Sequence, residues 1–156
     1  MNIEDCAVRL IFACFLFLTG FLVSCGGPDT LRVRQFHLRD TKVATGQPFI
    51  RAETNELLHG ALTQEERELR LGNYYHVRWR KLSGEEPVKI VFEYRQAKSG
   101  AKVFRKEKVS PAKSRGDRKM LVIGNEYLKG GRVTAWRVTI YDGDQLAAQK
   151  QSYLWE

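Results

Sequence analysis

Three stretches of this sequence alternate between apolar and polar residues with a period of two. The first carries Tyr75, Val77 and Trp79, and the positions between them are polar. The other two occupy residues 88–95 and 134–141. Because successive side chains of a β-strand point to opposite faces of the sheet, this alternation places one face on a core and the other in water. The sequence therefore predicts half-buried β-strands.

Weaker segments of the same kind flank and separate these three. They are residues 31–39, 48–53, 102–109, 119–124 and 145–155. The apolar pattern of the first segment changes phase between Val33 and Phe36, so a bulge or a switch between sheets is expected there. Before the last segment, Asp142-Gly143-Asp144 supplies the glycine that a tight hairpin requires.

Seven or eight short strands separated by turn residues predict an antiparallel β-sandwich, Ig-like or fibronectin-III-like in architecture. The Cys…Trp…Cys spacing of true immunoglobulin domains is absent, so the prediction concerns the architecture alone. A small closed β-barrel is the alternative, because it uses a similar number of strands. One short helix is expected within residues 63–71, where Thr63 and Glu66 have the spacing of a capping box.

The N-terminal part of the chain differs from the rest in being almost entirely apolar. Residues 10–23 form an apolar run, and Leu22-Val23-Ser24-Cys25 stands at its end. The run has the length of a signal-peptide core and is shorter than the about 20 residues that a helix needs to span a bilayer. An uncleaved anchor helix or a buried apolar helix is the alternative interpretation of these residues.

Leu22-Val23-Ser24-Cys25 is a complete lipobox, and residues 1–27 resemble the precursors of bacterial lipoproteins. The resemblance implies that Cys25 receives a diacylglycerol thioether. It also implies that the bond between Ser24 and Cys25 is then cut and that the new N-terminal amine is acylated. Acyl chains bury many methylene groups, so two or three of them hold a protein firmly to a membrane.

The resemblance divides the chain into a signal peptide (1–24), a lipidated tether (25–30) and the β-sandwich domain (31–156). It implies that the protein lies in the cell envelope, anchored to a membrane through lipid on Cys25. Gly26, rather than an aspartate, follows this cysteine, which favours the outer membrane, with the domain facing the periplasm or the cell surface.

Residues that carry chemistry are sparse and dispersed in the predicted domain. His37, His59 and His76 lack the spacing of a metal site, and His37 and His76 are expected on solvated strand faces. The sequence contains no Gly-x-Ser-x-Gly motif, no phosphate-binding glycine loop and no cysteine after position 25. It therefore predicts no catalytic residue, no metal and no cofactor. A small envelope enzyme acting on glycan or lipid is the alternative.

The formal net charge is +8, and the basic residues are densest between positions 98 and 119. The basic side chains of this segment are Lys98, Lys102, Arg105, Lys106, Lys108, Lys113, Arg115, Arg118 and Lys119. One hypothesis is that they bind a polyanion, such as an anionic lipid or glycan or an acidic protein. The other, which the sequence favours, is a solvated edge strand whose lysines prevent pairing with another sheet. Nucleic acid is not expected, because no aromatic residues interleave the loop.

Aromatic residues cluster on the predicted strands. Trp79 and Trp136 have the parity of the core, whereas Tyr74 and Tyr141 lie on the opposite face. Together with the N-terminus, these features predict a membrane-anchored envelope lipoprotein that acts as a non-catalytic binding or structural module. An envelope protein is a possible partner, and a subunit of a larger surface assembly is a third hypothesis.

Overall fold

The computed structural model describes residues 30–40 and 47–155. The predicted signal peptide, Cys25 and all of the predicted tether except Thr30 lie outside the described residues. The strands are β1 Leu31–Leu38, β2 Gly72–Trp79, β3 Val88–Gln96, β4 Phe104–Ser110, β5 Gly116–Ile123, β6 Val133–Asp142 and β7 Gln145–Gln151. The helices are α1 Pro48–Leu58, α2 Gln64–Glu68 and α3 Asn125–Gly130.

The strands form two antiparallel sheets that pack face to face. The three-stranded sheet, here called sheet A, has the order β1-β2-β5, and the four-stranded sheet B has the order β4-β3-β6-β7. This confirms the predicted β-sandwich. The fourth strand pairs with β3 rather than with β5, so it differs from the immunoglobulin constant type, in which that strand joins the other sheet. The closed-barrel alternative is wrong, because the two sheets share no paired strands.

The core lies between the sheets and consists of the side chains whose alternation is visible in the sequence. Tyr75, Val77 and Trp79 of β2 are almost completely buried, and so are the alternating apolar residues of β3 and β6. The Tyr75 ring lies 4.7 Å from that of Phe92 and 5.6 Å from that of Trp136. The prediction that Trp79 and Trp136 are buried is thereby confirmed.

Residues 48–53 are helical, so the prediction of a strand there was wrong. They begin α1, and Pro48 occupies its first turn, where a missing backbone N–H costs no hydrogen bond. The side chains that α1 buries are Thr54 and Leu58, which are four residues apart and therefore lie on one helix face. That spacing begins where the predicted strand ends, so the strand-like pattern of 48–53 was misleading.

The bulge expected in β1 was also wrong. β1 pairs with β2 without interruption, from Leu31 opposite Trp79 to Leu38 opposite Gly72. The inner side of β1 carries Gln35, whose Oε1 accepts a hydrogen bond from Trp136 Nε1 at 3.1 Å. Phe36 and Leu38 point to the outer side of sheet A, next to Ile50 and Thr54 of α1. The apolar pattern changes phase because a helix covers that part of the outer face.

Two predictions from local sequence are confirmed. Thr63 caps α2, and its hydroxyl accepts a hydrogen bond from Glu66 N at 3.1 Å while the Glu66 carboxylate accepts from Thr63 N. The β6–β7 hairpin turns at Gly143, which has a φ of 59°. Helix α3 was not predicted. Its start follows Gly124, which has the left-handed φ of 59° and whose N–H donates to Leu71 O.

The strand directions define two ends of the sandwich. The N-terminal pole holds Thr30, the 80–87 loop, the 111–115 loop and the β6–β7 turn. Backbone hydrogen bonds join these loops, from Leu82 N to Ser114 O and from Gly143 N to Pro87 O. The far pole holds the 97–103 loop, α3 and residues 152–155. Any chain that precedes Thr30 must therefore approach the domain at the N-terminal pole.

Candidate anion-binding face

The outer side of sheet A carries three rows of directly opposed side chains, one from each strand. These rows are Phe36, Tyr74 and Leu121; Arg34, His76 and Lys119; and Arg32, Arg78 and Asp117. The first row is apolar and lies beside α1. The other two rows are mainly basic and lie toward the N-terminal pole. The register of three strands that are distant in sequence thus gathers positive charge on one surface.

The two basic rows bring like charges together. Arg32 is the direct cross-strand neighbour of Arg78, and both side chains are exposed. Cβ atoms of such pairs lie about 4.5–5.5 Å apart, and like charges in this position destabilise a sheet. An anion above the rows would interact favourably with both guanidinium groups.

Asp117 is the acidic member of the third row. Its Oδ2 lies 3.1 Å from His76 Nε2, which belongs to the neighbouring row. This hydrogen bond, together with the charges of His76, Arg78 and Arg118, holds the pKa of Asp117 below its usual range. Asp117 is therefore ionised at neutral pH and compensates part of the positive charge beside it.

At the N-terminal pole the third row opens into a groove of about 800 Å³. Its lining residues are Arg78, Trp79, Arg80, Lys81, Ser114, Arg115, Gly116 and Asp117. Trp79 Nε1 donates to Lys113 O at 3.3 Å, and Arg80 N donates to Thr30 O at 3.0 Å. The buried indole therefore fixes the 111–115 loop, and the backbone of Arg80 fixes the entry of the chain into β1.

Lys81, at the edge of this groove, has a strained backbone. Its φ is 62°, and it is the one non-glycine residue with a positive φ among residues 30–40 and 47–155. The left-handed conformation costs a residue with a Cβ about 1–2 kcal/mol. Strain of this kind persists where the surrounding structure holds it, often at binding sites. Leu82, the next residue, is buried, and its N–H donates to Ser114 O.

We expect Lys81→Gly to raise the free energy of unfolding by up to about 1 kcal/mol, because glycine adopts a positive φ without strain. Lys81→Ala is the matched control, since it removes the same charge and keeps the strain. Urea denaturation of the three proteins measures the difference. Equal stabilisation by glycine and alanine would show that charge repulsion, rather than backbone strain, is relieved.

A second cavity, of about 250 Å³, lies between α1 and the row of Arg34, His76 and Lys119. Helix α1 contributes Glu53 and Glu56 to its lining. Glu56 Oε1 lies 3.8 Å from Lys119 Nζ. Carboxylates of α1 thus compensate the basic rows on the side away from the N-terminal pole, and the uncompensated charge is greatest at the groove.

We call the assembled surface the basic face. Its members are Arg32, Arg34, Arg78, Arg80, Lys81, Arg115 and Lys119. Two of these, Arg115 and Lys119, were among the nine basic residues singled out in the sequence. The other five were missed. The sequence does contain a signal for Arg78 and Arg80, which alternate with the buried Val77 and Trp79 and must therefore lie on the outer face. It does not show which strands lie beside them.

The structure divides the remaining basic residues of the 98–119 segment among other surfaces. Lys106 and Lys108 project from β4 toward β5, where Lys106 Nζ donates to Leu121 O at 2.7 Å and Lys108 Nζ donates to Lys119 O at 2.8 Å. Lys106 Nζ also lies 2.5 Å from Glu126 Oε2. Both lysines therefore cover carbonyl groups on the open edge of β5.

Of the other members of that segment, Lys98, Lys102 and Arg105 lie apart from the basic face, whereas Arg118 and Lys113 lie next to it without belonging to its rows. Lys98 donates to Leu128 O at 3.4 Å, and Arg105 forms an ion pair with Glu107. Lys102 lies over the Phe104 ring at 5.1 Å. Arg118 has the inward parity of Met120 and donates to Asp117 O, and Lys113 lies in the 111–115 loop. The segment is thus not one continuous patch.

The prediction of a solvated face for His37 was wrong. Its side chain lies on the inner side of β1 and is partly buried, because α3 brings Tyr127 beside it. Arg39 Nε donates to His37 Nδ1 at 3.3 Å, so Nε2 carries the proton and donates to Tyr127 Oη at 2.8 Å. Burial, with the charges of Arg39 and Arg132, keeps the pKa of His37 below its usual value.

Within the described parts of the chain, no three histidine, cysteine or acidic side chains converge to form a metal site. In the same residues, no helix is long and apolar enough to cross a membrane. Comparison with known proteins found no matching family model, no similar curated protein and no similar solved structure. The features that bear on function are therefore the basic face and the sequence that precedes the domain.

Proposed function

We propose that this protein is a lipid-anchored module of the cell envelope that binds an anionic partner and catalyses no reaction. The anchor is Cys25, the last residue of the lipobox. The binding surface is the basic face. The observation that carries the proposal is the pair of opposed basic rows on sheet A, which end at the pole where the chain enters β1.

The charge distribution supports a binding role. On the outer side of sheet B, Arg137 and Arg105 form ion pairs with Glu93 and Glu107, while Lys89 and Arg95 lie over aromatic rings. On sheet A, Arg32 stands opposite Arg78, and Arg80, Lys81 and Arg115 add positive charge at the groove. A surface that concentrates one sign of charge attracts the opposite sign over several ångströms and accelerates its association. The partner that fits is therefore a polyanion: an anionic lipid or glycan, or an acidic face of an envelope protein.

Charge reversal tests the site directly. We expect the variant Arg78→Glu/Arg80→Glu/Arg115→Glu, called the basic-face variant, to elute from a heparin column at a much lower salt concentration than the wild-type protein. The three side chains are exposed, and heparin presents closely spaced anionic groups to them. The gradient position of each protein gives the result.

The matched control reverses three exposed lysines of the far pole, in the variant Lys102→Glu/Lys129→Glu/Lys150→Glu. It changes the net charge by the same amount and leaves the basic face intact, so we expect it to elute close to the wild-type protein. Equal shifts of the two variants would mean that heparin responds to net charge alone, and the proposed site would be wrong.

A further inference from the structure

We infer that the basic face binds the anionic phospholipid headgroups of the same membrane that holds Cys25, so that sheet A lies against the bilayer. This inference rests on the proposed function, since it takes the lipid anchor as given. It names the partner of the basic face and adds a fixed orientation of the domain on the membrane.

The tether is too short to let the domain move far from the membrane. Only residues 26–29 lie between Cys25 and Thr30, and the five residue-to-residue steps from Cys25 to Thr30 span at most about 18 Å when fully extended. Thr30 O accepts a hydrogen bond from Arg80 N, so the tether enters the domain beside the groove. An anchored domain therefore holds Arg80 and its neighbours within that distance of the headgroups, whatever the tether's conformation.

Positive charge continues from the tether along the strands of sheet A. From Leu31 to Arg34, β1 advances about 10 Å at about 3.4 Å per residue. The basic rows therefore begin beside the tether and continue along the outer side of sheet A. They stay within the distance that the tether allows between Thr30 and the membrane. Each Lys or Arg beside an anionic membrane strengthens the binding of the protein to that membrane about fivefold. A few such residues therefore hold the domain in one orientation instead of letting it rotate freely on its tether.

The N-terminal pole is mainly acidic on the side of sheet B. The surface around the β6–β7 turn is lined by three acidic residues, Glu86, Asp142 and Asp144, against one basic residue, Lys89, and it lies at the edge of sheet B. An anionic membrane repels this side and attracts the sheet A side. Of the orientations that the short tether allows, the one with sheet A toward the bilayer brings the basic side close and the acidic side away.

The mature lipidated protein allows a direct test, because cleavage before Cys25 removes Cys6 and Cys14 and the lipid occupies the sulfur of Cys25. A thiol introduced by Asn55→Cys then lies alone on α1, beside sheet A, and one introduced by Gln149→Cys lies alone on the outer side of sheet B. Both positions are exposed. Each is labelled with a fluorophore, and the protein is reconstituted into vesicles.

The measurement is quenching by a spin label attached to lipid headgroups. In vesicles of phosphatidylcholine with phosphatidylglycerol, we expect the probe at position 55 to be quenched several-fold more than the probe at position 149. The difference should disappear in pure phosphatidylcholine, at high salt and in the basic-face variant, and it should persist in the far-pole control. Arg78→Gln/Arg80→Gln/Arg115→Gln, which removes charge without reversing it, provides a milder variant if the first fails to fold.

Equal quenching of the two probes in phosphatidylglycerol vesicles would overturn the inference. If heparin binding still required the basic face, the proposed function would stand, and the partner would be a soluble acidic glycan or an acidic protein. Failure of the anchor has a separate signature: the wild-type protein, without an introduced cysteine, would react with the thiol reagent.

Discussion

Replacing Trp79 by alanine is expected to lower the free energy of unfolding by about 3–5 kcal/mol, the usual cost of deleting a buried tryptophan side chain. The Trp79 side chain is among the largest in the core and is 1% exposed. Its Nε1 also donates to Lys113 O, so the substitution leaves a carbonyl group without that partner. Chemical denaturation followed by circular dichroism measures the change.

The effect of Trp79→Ala extends to the groove, because Trp79 packs against Gly116. A Cβ built on Gly116 would lie 2.4 Å from Trp79 Cζ2, so the ring occupies the space that a side chain would need. Removing the ring frees the 111–115 loop, and we expect weaker heparin binding as well as lower stability. Trp79→Phe retains an aromatic ring and is the control, with a smaller loss expected. A loss below about 1 kcal/mol for the alanine variant would contradict the assigned packing.

Replacing Cys25 by serine is expected to abolish lipidation and the cleavage that follows it. The serine hydroxyl cannot form the thioether that the lipoprotein resemblance implies, and without this bond the signal peptide stays on the chain. In cells, the variant should have the mass of the unprocessed precursor. The wild-type protein should begin at residue 25 and carry the added mass of diacylglycerol. Mass spectrometry of both intact proteins checks this.

The chain contains its own control for this experiment. Cys14→Ser also replaces a cysteine sulfur by oxygen, but it does so within the apolar run and outside the lipobox. We therefore expect this variant to be processed normally. Processing of the Cys25→Ser variant at residue 25 would remove the argument for the anchor. Loss of processing in both variants would show that the apolar run, rather than the lipobox, responds to the loss of a thiol.

Much of the sandwich was predictable because its information is local. Alternation identified β2, β3 and β6, and each of these strands contributes buried residues to the core. The capping residues of α2 and the glycine of the β6–β7 turn also act within a few positions along the chain. The strands that alternate poorly, β4 and β7, were located approximately, since their side chains are mostly exposed.

Two errors in the fold, the bulge expected in β1 and the strand expected at residues 48–53, have one physical origin: α1 covers part of the outer side of sheet A. Local pattern does not reveal that α1 shields Phe36 and Leu38, so an uninterrupted strand was taken to contain a bulge. The same contact explains why the strand predicted at residues 48–53 is a helix. The residues that α1 buries, Thr54 and Leu58, pack against a surface that is distant in the sequence.

The sequence by itself determined the strand-rich class, the buried faces of the central strands and the lipobox, because each depends on neighbouring residues. Only the tertiary structure decided where the basic face lies. Arg34, His76 and Lys119 are about 40 positions apart and become neighbours through strand register. Register is set by turns and by the burial of the opposite face, so charges that are scattered along the chain form one surface only after both sheets have packed.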